Sequence, residues 1–301
     1  MLVGLIFLLY QPSKKLYFPY QNYMPWYFSK AFTLSFRSVL LRLWLDCYPL
    51  DMAPNSVDDM YDGCEDKMKG IIEPLLNKEQ REEFKDAWSA AQNYYKTKIV
   101  YYTTLYKLKS LLSNTPKLKK NQIMAVHAYT LETPALYSKF NVAVRTQKPD
   151  YKTETFKYHA VHFFLTMALR SLNHNSNCVT SYRRTKCNFK TAINSEIRFG
   201  AFTSSTEGSY PPAEFGEKSC FEIYTCFGAD ISKFSTFPQE KEVLIPPYEV
   251  FKVKDIKKRS ATNSLWCDAV YKLESTKEPH SNLNCALAID LTKRTNKAGL
   301  H

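Results

Sequence analysis

The amino-acid sequence predicts an α+β protein, with a helical N-terminal half followed by a mainly antiparallel β core. Up to about residue 172, apolar side chains recur at the three- and four-residue spacing that is typical of helices burying one face. After residue 175, short β-rich runs are separated by turn signals such as Pro211-Pro212 and Pro246-Pro247. Helices early and strands late indicate α and β parts that are segregated along the chain.

The helical half opens with a segment that carries two helix-start signals. Pro54 followed by Asn55 or Ser56, with acidic residues in the next turn, predicts the start of a first helix. Asn77 with Gln80 three residues later has the spacing of a capping box and predicts the start of a second helix.

Apolar stripes then predict the bodies of the helices. Phe84, Trp88 and Ala91 form one stripe, which residues 101–112 continue until Asn114-Thr115-Pro116 breaks the pattern. Further helical segments are predicted at residues 122–130, at Leu136, Phe140 and Val144, and at residues 156–172. The last segment carries His159 and His162 on one face, which we interpret as packing histidines because no third metal ligand lies nearby in sequence.

The β half contains six apolar or β-branched runs with turn signals between them. The basic segment 254–259 is predicted to be a hairpin or loop, with a solvated turn favoured over a nucleic-acid contact. The predicted strands are residues 178–182, 197–204, 220–226, 242–245, 248–253 and 265–273.

The composition restricts the function classes. The 301 residues are 45% hydrophobic and 15% aromatic, which are values of a globular protein. Only 8 Gly are present, and neither of the common Gly-rich nucleotide loops occurs. The net charge of +12 favours anionic partners such as a nucleotide, nucleic acid or an acidic cell surface.

The 8 Cys are scattered and none forms a C-x-x-C motif, which favours disulfides in an oxidising compartment over zinc or thioredoxin chemistry. An apolar run at residues 2–10 has the length of a signal-peptide core, and neither end carries a segment long enough to span a membrane. We expect residues 1–46 to be a leader or poorly defined extension, residues 47–292 the domain, and residues 293–301 a polar tail without a lipid-anchor signal.

Two carboxylates lie two residues apart at the start of a predicted strand. In an extended segment, Glu240 and Glu242 would point to the same side and act on one reacting centre. Paired carboxylates are the usual means of stabilising an oxocarbenium-like transition state when a glycosidic bond breaks. By itself, E-x-E is common at solvated strand ends.

Two further elements precede this pair in the β half. Arg183 follows Tyr182 in a predicted strand, and an arginine suits a diphosphate because its planar fork makes paired charge-assisted hydrogen bonds. Ser204 lies in the run Phe199–Thr206, at a strand end where a hydroxyl can hold a carboxylate or a ribose. Each residue taken alone is more often an ordinary surface or strand-end residue.

Together these elements resemble the R-S-E signature of arginine-specific mono-ADP-ribosyltransferases, the vertebrate ecto-enzymes related to bacterial toxins. The order along the chain is Arg183, then Ser204-Ser205-Thr206, then Glu240-Lys241-Glu242. The resemblance extends over roughly residues 48–290 and implies the ADP-ribosyltransferase fold with an NAD-binding cleft. Other stretches that resemble the family are residues 50–61, 128–130, 136–145 and 243–251.

The resemblance implies roles for the signature residues. Arg183, with Tyr182 beside it, would bind NAD through its phosphates, and Ser204 would position the nicotinamide ribose and the catalytic carboxylate. Glu242 would be that carboxylate, stabilising the oxocarbenium ion as nicotinamide leaves. Glu240 would engage the guanidinium of the acceptor arginine.

The resemblance further implies that Phe237 and Gln239 help to bind the target, and that disulfides join Cys64 to Cys285 and Cys178 to Cys226. The pairing of the remaining cysteines stays open. NAD would be a co-substrate and no metal would be needed. The partners would be arginine-bearing extracellular or luminal proteins, and the enzyme a monomer that is secreted or faces the outside of the membrane, without a transmembrane span or a nucleic-acid ligand.

The sequence departs from the family at Arg184, where the family often has Gly, so that this side chain would either crowd the NAD cleft or add a phosphate contact. Two alternatives to the transferase therefore stay open. One is an NAD glycohydrolase, in which water replaces the arginine. The other is a catalytically weak binding member of the same fold.

Overall fold

The computed structural model describes residues 47–100, 118–153, 155–174 and 177–291. Within these residues, eight strands form one sheet in the order β2-β7-β8-β4-β1-β3-β6-β5. Of the neighbouring pairs, β4 and β8 run parallel and the others antiparallel. The predicted α+β class with a mainly antiparallel core is confirmed.

The helices precede the strands along the chain. The α-helices are α1 Glu65–Glu79, α2 Lys85–Tyr94, α3 Lys120–Thr130, α4 Leu136–Thr146 and α5 His159–Leu172, and a π-helical segment, Tyr95–Val100, follows α2. The strands are β1 Val179–Thr185, β2 Glu196–Ile197, β3 Thr203–Glu207, β4 Ser219–Thr225, β5 Ala229–Asp230, β6 Glu242–Ile245, β7 Phe251–Lys258 and β8 Ala269–Ser275. Short 3₁₀ turns lie at Ala213–Phe215 and Pro238–Glu240.

The first helix does not start at Asn55 or Ser56, as the sequence predicts; α1 begins at Glu65. The intervening segment makes tertiary rather than local bonds. The Ser56 hydroxyl donates to the Gly200 carbonyl at 2.8 Å, and the Val57 amide donates to the Val144 carbonyl at 2.7 Å. These long-range bonds take up the polar groups that a helix would have used.

The second helix does not start at Asn77, which lies inside α1. Ile72 and Leu76 are buried four residues apart, and this apolar face carries α1 past Asn77 to Glu79. Gln80 follows the end of the helix, and its side-chain amide donates to the Asn77 side chain at 3.2 Å. The next helix, α2, begins at Lys85.

The predicted apolar stripes are buried in the structure. Phe84, Trp88 and Ala91 are at most 2% exposed, and Leu136, Phe140 and Val144 are buried on α4. The predicted helical continuation at residues 101–112 and the break at 114–116 lie outside the described residues, as do the expected extension 1–46 and tail 293–301.

Two predictions for the β half are wrong in part, one for a hairpin or loop and one for a strand. The basic segment 254–259 is not a loop, because β7 continues to Lys258 paired with β8. The run 197–204 is not one strand; β2 ends at Ile197 and β3 begins at Thr203. Between them, the Arg198 guanidinium leaves the sheet and bonds to the segment before α1, which interrupts the pairing.

Apolar clusters cover both sides of the sheet. One joins the helices to residues such as Phe202 and Leu244 of the sheet. A second contains Phe221, Ile223 and Leu273 on the central strands. No helix within the described residues has the length and apolar character needed to cross a membrane.

Four disulfides tie the chain together. Cys64–Cys285 and Cys178–Cys226 are the two pairs that the resemblance implies. Cys47–Cys187 and Cys220–Cys267, which the sequence leaves open, are the other two.

Candidate active site

Three neighbouring strands bring the signature residues together. Arg183 lies on β1, Ser204 on β3 and Glu242 on β6, and these strands are adjacent in the order β1-β3-β6. Tyr182 is opposite Thr206, which in turn is opposite Glu242. Residues far apart in the sequence thus become cross-strand neighbours.

A cavity of about 260 Å³ opens at this place, which we call the first cavity. Its lining includes all seven residues that the sequence predicts for substrate or acceptor binding: Tyr182, Arg183, Ser204, Phe237, Gln239, Glu240 and Glu242. Their roles stay predictions at this point, since geometry alone does not assign a reaction.

The Arg183 guanidinium is half-buried at the edge of the first cavity. Its Nη1 donates to the Ser204 carbonyl at 2.6 Å, which fixes the side chain across the strands. Burial lowers the pKa of Arg183, and the neighbouring Tyr129 and Glu242 oppose this shift. A cation held in place between polar groups can receive a phosphate with little reorganisation.

The two serines of the signature triplet differ in their surroundings. The buried Ser205 hydroxyl lies 2.8 Å from Ser181 Oγ and 2.9 Å from the Val243 carbonyl, so it is used within the sheet. Ser204 is half-buried and lines the first cavity beside Arg183. The structure therefore favours Ser204 as the serine that faces a ligand.

The two glutamates reach the cavity by a route that the sequence does not predict. Glu240 ends a 3₁₀ turn, Lys241 has a left-handed backbone with φ 46°, and β6 begins only at Glu242. The segment is thus not extended, and the expected strand alternation is wrong here. Both carboxylate side chains nevertheless line the first cavity.

The turn between the glutamates is held by backbone bonds. The Lys241 carbonyl accepts from the Glu207 amide and the Glu242 carbonyl accepts from the Ile231 amide, each at 3.0 Å. A left-handed conformation costs a non-glycine residue roughly 1–2 kcal/mol. These bonds from the neighbouring strands offset that cost and fix the separation of the carboxylates.

Sequence reasoning assigned no role to Tyr129, whose hydroxyl lies inside the site. The hydroxyl donates to the Phe202 carbonyl at 3.0 Å and accepts from Asn141 Nδ2 at 3.0 Å. Burial raises the pKa of Tyr129 to about 12, an effect opposed by the bond from Asn141 and reinforced by Glu242. The phenol is neutral at pH 7 and also bonds to Ser204. In sequence, Tyr129 is one of 21 tyrosines, and the signal that could have found it is its place in the stretch 128–130 that resembles the family.

A second cavity of about 150 Å³ lies on the other side of Arg183 and shares Tyr137, Asn141 and Phe202 with the first. Its aromatic wall includes Tyr48, Phe189 and Phe199.

The N-terminal part of that wall is fastened by Arg145 and a disulfide. The Arg145 guanidinium donates to the Pro49 carbonyl at 2.6 Å and lies 5.1 Å from the Tyr48 ring centre. The bond Cys47–Cys187 joins the same segment to the loop after β1. The wall is therefore built by tertiary contacts with residues far away in sequence.

His159 and His162 serve the helical core. His159 Nδ1 lies 3.2 Å from Glu79 Oε1, and His162 Nδ1 lies 2.7 Å from the Tyr61 hydroxyl. Within the described parts of the chain, no group of three metal-ligating side chains is found.

Comparison with known proteins decides the family. The family described as "NAD:arginine ADP-ribosyltransferase" matches residues 50–275. This chain belongs to that family. The resemblance seen in the signature residues is confirmed, and the match falls within the expected domain 47–292.

Individual members are similar over most of the chain. Ecto-ADP-ribosyltransferase 5 of Homo sapiens is 31% identical over 273 residues, which cover 85% of this chain and 88% of that protein. GPI-linked NAD(P)(+)--arginine ADP-ribosyltransferase 1 of Mus musculus is 35% identical over 68% of this chain and 64% of its own length.

Among solved structures, the eukaryotic mono-ADP-ribosyltransferase ART2.2 is 33% identical in sequence to this chain. The superposition covers 78% of this chain and 97% of the ART2.2 chain, with a TM-score of 0.61. A mutant of ART2.2 in complex with NAD covers the same share of this chain with a TM-score of 0.57. The fold implied by the signature is confirmed.

Proposed function

We propose that this chain transfers ADP-ribose from NAD to arginine side chains of proteins and releases nicotinamide. The observation that carries the proposal is the convergence of Arg183, Ser204, Glu240 and Glu242 on one cavity in a member of this family. The chain supplies the cation, the hydroxyl and both carboxylates that the reaction requires.

The two cavities suit the two halves of a dinucleotide. They meet at Arg183, so a diphosphate held by this guanidinium would extend one nucleoside into each cavity. The aromatic side chains of the second cavity offer flat faces for adenine. The nicotinamide ribose would then lie in the first cavity, next to Glu242.

The chemical step breaks the bond between the ribose C1′ and the nicotinamide nitrogen. The bonding electron pair leaves with nicotinamide, whose ring loses its positive charge, and C1′ becomes an oxocarbenium ion. The Glu242 carboxylate would accept a hydrogen bond from the ribose 2′-hydroxyl and stabilise the developing positive charge. The Ser204 hydroxyl would keep that carboxylate in place, and Tyr129 would hold the backbone leading into β3 through its bond to the Phe202 carbonyl.

The acceptor arginine then attacks C1′ through a guanidinium nitrogen, which forms the new C–N bond and releases one proton to the solvent. Glu240 lines the cavity beside Glu242 and is fixed by the turn at Lys241. Its carboxylate would pair with the incoming guanidinium and orient the attacking nitrogen. Phe237 and Gln239 line the same side and would contact the target.

The site of action that fits these features is outside the cell or in the secretory lumen. The four disulfides of the structure need an oxidising compartment. Relatives are named ecto-enzymes or GPI-linked. The acceptors would accordingly be extracellular or luminal proteins.

Labelled NAD with and without agmatine, a small arginine analogue, tests the proposal. We expect labelled agmatine from the unaltered protein, whereas free ADP-ribose alone would indicate a glycohydrolase and the absence of turnover a binding protein. Glu242→Gln should abolish both reactions, and Glu240→Ala should remove transfer while NAD hydrolysis continues.

Glu73→Gln, an exposed carboxylate on α1 outside the cavity lining, is the matched control. It should transfer ADP-ribose at the unaltered rate. Equal transfer by Glu240→Ala and by the unaltered protein would contradict the role assigned to Glu240.

A further inference from the structure

A second guanidinium, that of Arg184, lines the first cavity next to Arg183. Arg184 lies on β1 opposite Cys220 of β4. Its side chain is only 11% exposed, so most of a cation has been removed from water. Such a group needs nearby acceptors, because an unpaired buried charge is costly.

The acceptors around Arg184 are few and distant. Its Nη1 lies 3.4 Å from the Trp266 carbonyl, 3.8 Å from Cys267 Sγ and 3.9 Å from the Glu217 carboxylate. Glu217 also lies 3.8 Å from Arg259, so one carboxylate is shared by two guanidinium groups. Within the part of the chain that the structure describes, Arg184 Nε has no hydrogen-bond partner.

The buried Arg198 shows what a satisfied guanidinium looks like in this protein. It makes four bonds of 2.8 to 3.0 Å, one to the Asp58 carboxylate and three to backbone carbonyls. Arg184 has one long bond to an oxygen by comparison. Its spare donors fit an anionic group that a ligand brings into the cavity.

The position of Arg184 indicates which ligand brings that group. Arg183 lines both cavities, but Arg184 lines only the first, together with Glu240 and Glu242. It therefore belongs to the half of the site where the nicotinamide ribose and the acceptor arginine would meet, and not to the half that suits adenosine. Its guanidinium lies 5.7 Å from the Tyr210 ring centre, and that ring lies 5.0 Å from Trp266, which is 44% exposed. The wall continues from the cavity to the protein surface.

We propose that Arg184 binds a carboxylate of the acceptor protein beside the arginine that is modified, so that this chain selects arginines flanked by Asp or Glu. This inference rests on the proposed function. An acceptor guanidinium that enters this cavity meets repulsion from two guanidinium groups, Arg183 and Arg184. A neighbouring carboxylate reduces that repulsion, and it matches the planar donors of Arg184. The surrounding rings limit water and strengthen the pair.

The test uses two sets of peptides that contain one arginine. In one set, a single Glu occupies each position within four residues of the arginine in turn; in the other set, Gln replaces Glu. For at least one position, the unaltered protein should show kcat/KM roughly tenfold higher with Glu than with Gln, the size of one charge-assisted bond. Arg184→Gln should bring this ratio close to one, whereas Arg184→Lys should keep part of it.

Arg259→Gln is the matched control. Arg259 is the other arginine beside Glu217, but it does not line the first cavity. This variant should keep the full ratio. Equal rates with Glu and Gln at every position in the unaltered protein would overturn the inference. An equal loss for both peptides and for agmatine in Arg184→Gln would also overturn it, because Arg184 would then act on the dinucleotide or the fold.

Agmatine separates this inference from the proposed function. Labelled agmatine without any preference among peptides refutes the role of Arg184 alone, whereas the absence of labelled agmatine refutes the transferase itself. If Arg184→Gln does not fold, the unaltered protein still gives a result. Its preference for Glu should shrink as salt is raised, and a preference independent of salt would count against a charge pair.

Discussion

Replacing Arg198 by Met should destabilise the protein and weaken NAD binding together. Arg198 and Asp58 form an ion pair of 2.9 Å in which both side chains are 0% exposed. The same guanidinium donates to the carbonyls of Met52, Ala53 and His280. One side chain thus fastens the segment before α1 to the loop after β2 and to the C-terminal part of the domain.

The size of the effect follows from the burial of the pair. Burial lowers the pKa of Arg198, but the hydrogen bond and charge of Asp58 oppose this shift and favour the charged guanidinium. Met has a similar length but no donors, so the Asp58 carboxylate stays buried without its partner. Removing one member of a buried pair costs about 3–5 kcal/mol. For a domain of this size, that corresponds to a decrease in Tm of roughly 10 °C.

The assay is thermal unfolding under oxidising conditions, followed by steady-state kinetics well below Tm. The variant should also raise KM for NAD, because the lost guanidinium bonds to the Met52 and Ala53 carbonyls hold the segment whose residues 48–50 line the second cavity. Arg259→Met is the control, since Arg259 pairs with Asp268 at the surface, where ion pairs contribute little. If both variants lowered Tm equally, the buried pair would not hold the segment as we argue.

Three other changes should have measurable effects. Tyr129→Phe removes a hydroxyl near Glu242, the proposed catalytic carboxylate, and should lower kcat/KM for NAD roughly tenfold; unaltered kinetics would contradict its positioning role. His162 is buried with its pKa lowered to about 3, so the stability it contributes is present above pH 6.5 and lost as pH falls, up to roughly 5 kcal/mol. Asp59, with its pKa raised to about 6, acts in the opposite sense. The effect of His162 is therefore isolated by denaturant unfolding of the unaltered protein and of His162→Gln as a function of pH. The variant should lose less stability as pH falls. Replacing Cys47 and Cys187 by Ser opens a loop of 140 residues and should cost roughly 3–5 kcal/mol, measured as a lower Tm in the oxidised protein; an unchanged Tm would refute it.

The order of the signature residues in the chain was sufficient to predict the family and the site. Arg183, Ser204 and Glu242 each belong to a short β-rich run, and a run that pairs with its neighbours places its side chains at fixed cross-strand positions. Apolar periodicity likewise predicted α4 and the buried face of α2. These features depend on local patterns that tertiary contacts preserve.

The starts of the first two helices could not be predicted from the sequence. The signals at Asn55 and Asn77 are local. The segment at Asn55 is held instead by hydrogen bonds to the Gly200 and Val144 carbonyls. Asn77 lies inside α1 because the buried face of that helix extends past it. A capping signal contributes about 1 kcal/mol, which several long-range bonds together exceed.

The sequence by itself determined the fold class and the family and predicted the candidate site residues, because composition, periodicity and residue order are properties of the chain. Only the tertiary structure decided that Tyr129 enters the site, that a left-handed turn carries Glu240 to the cavity, and that Arg184 lines the first cavity. The physical reason is that each of these depends on which distant groups satisfy a buried polar atom or line a cavity, and no local pattern encodes those partners.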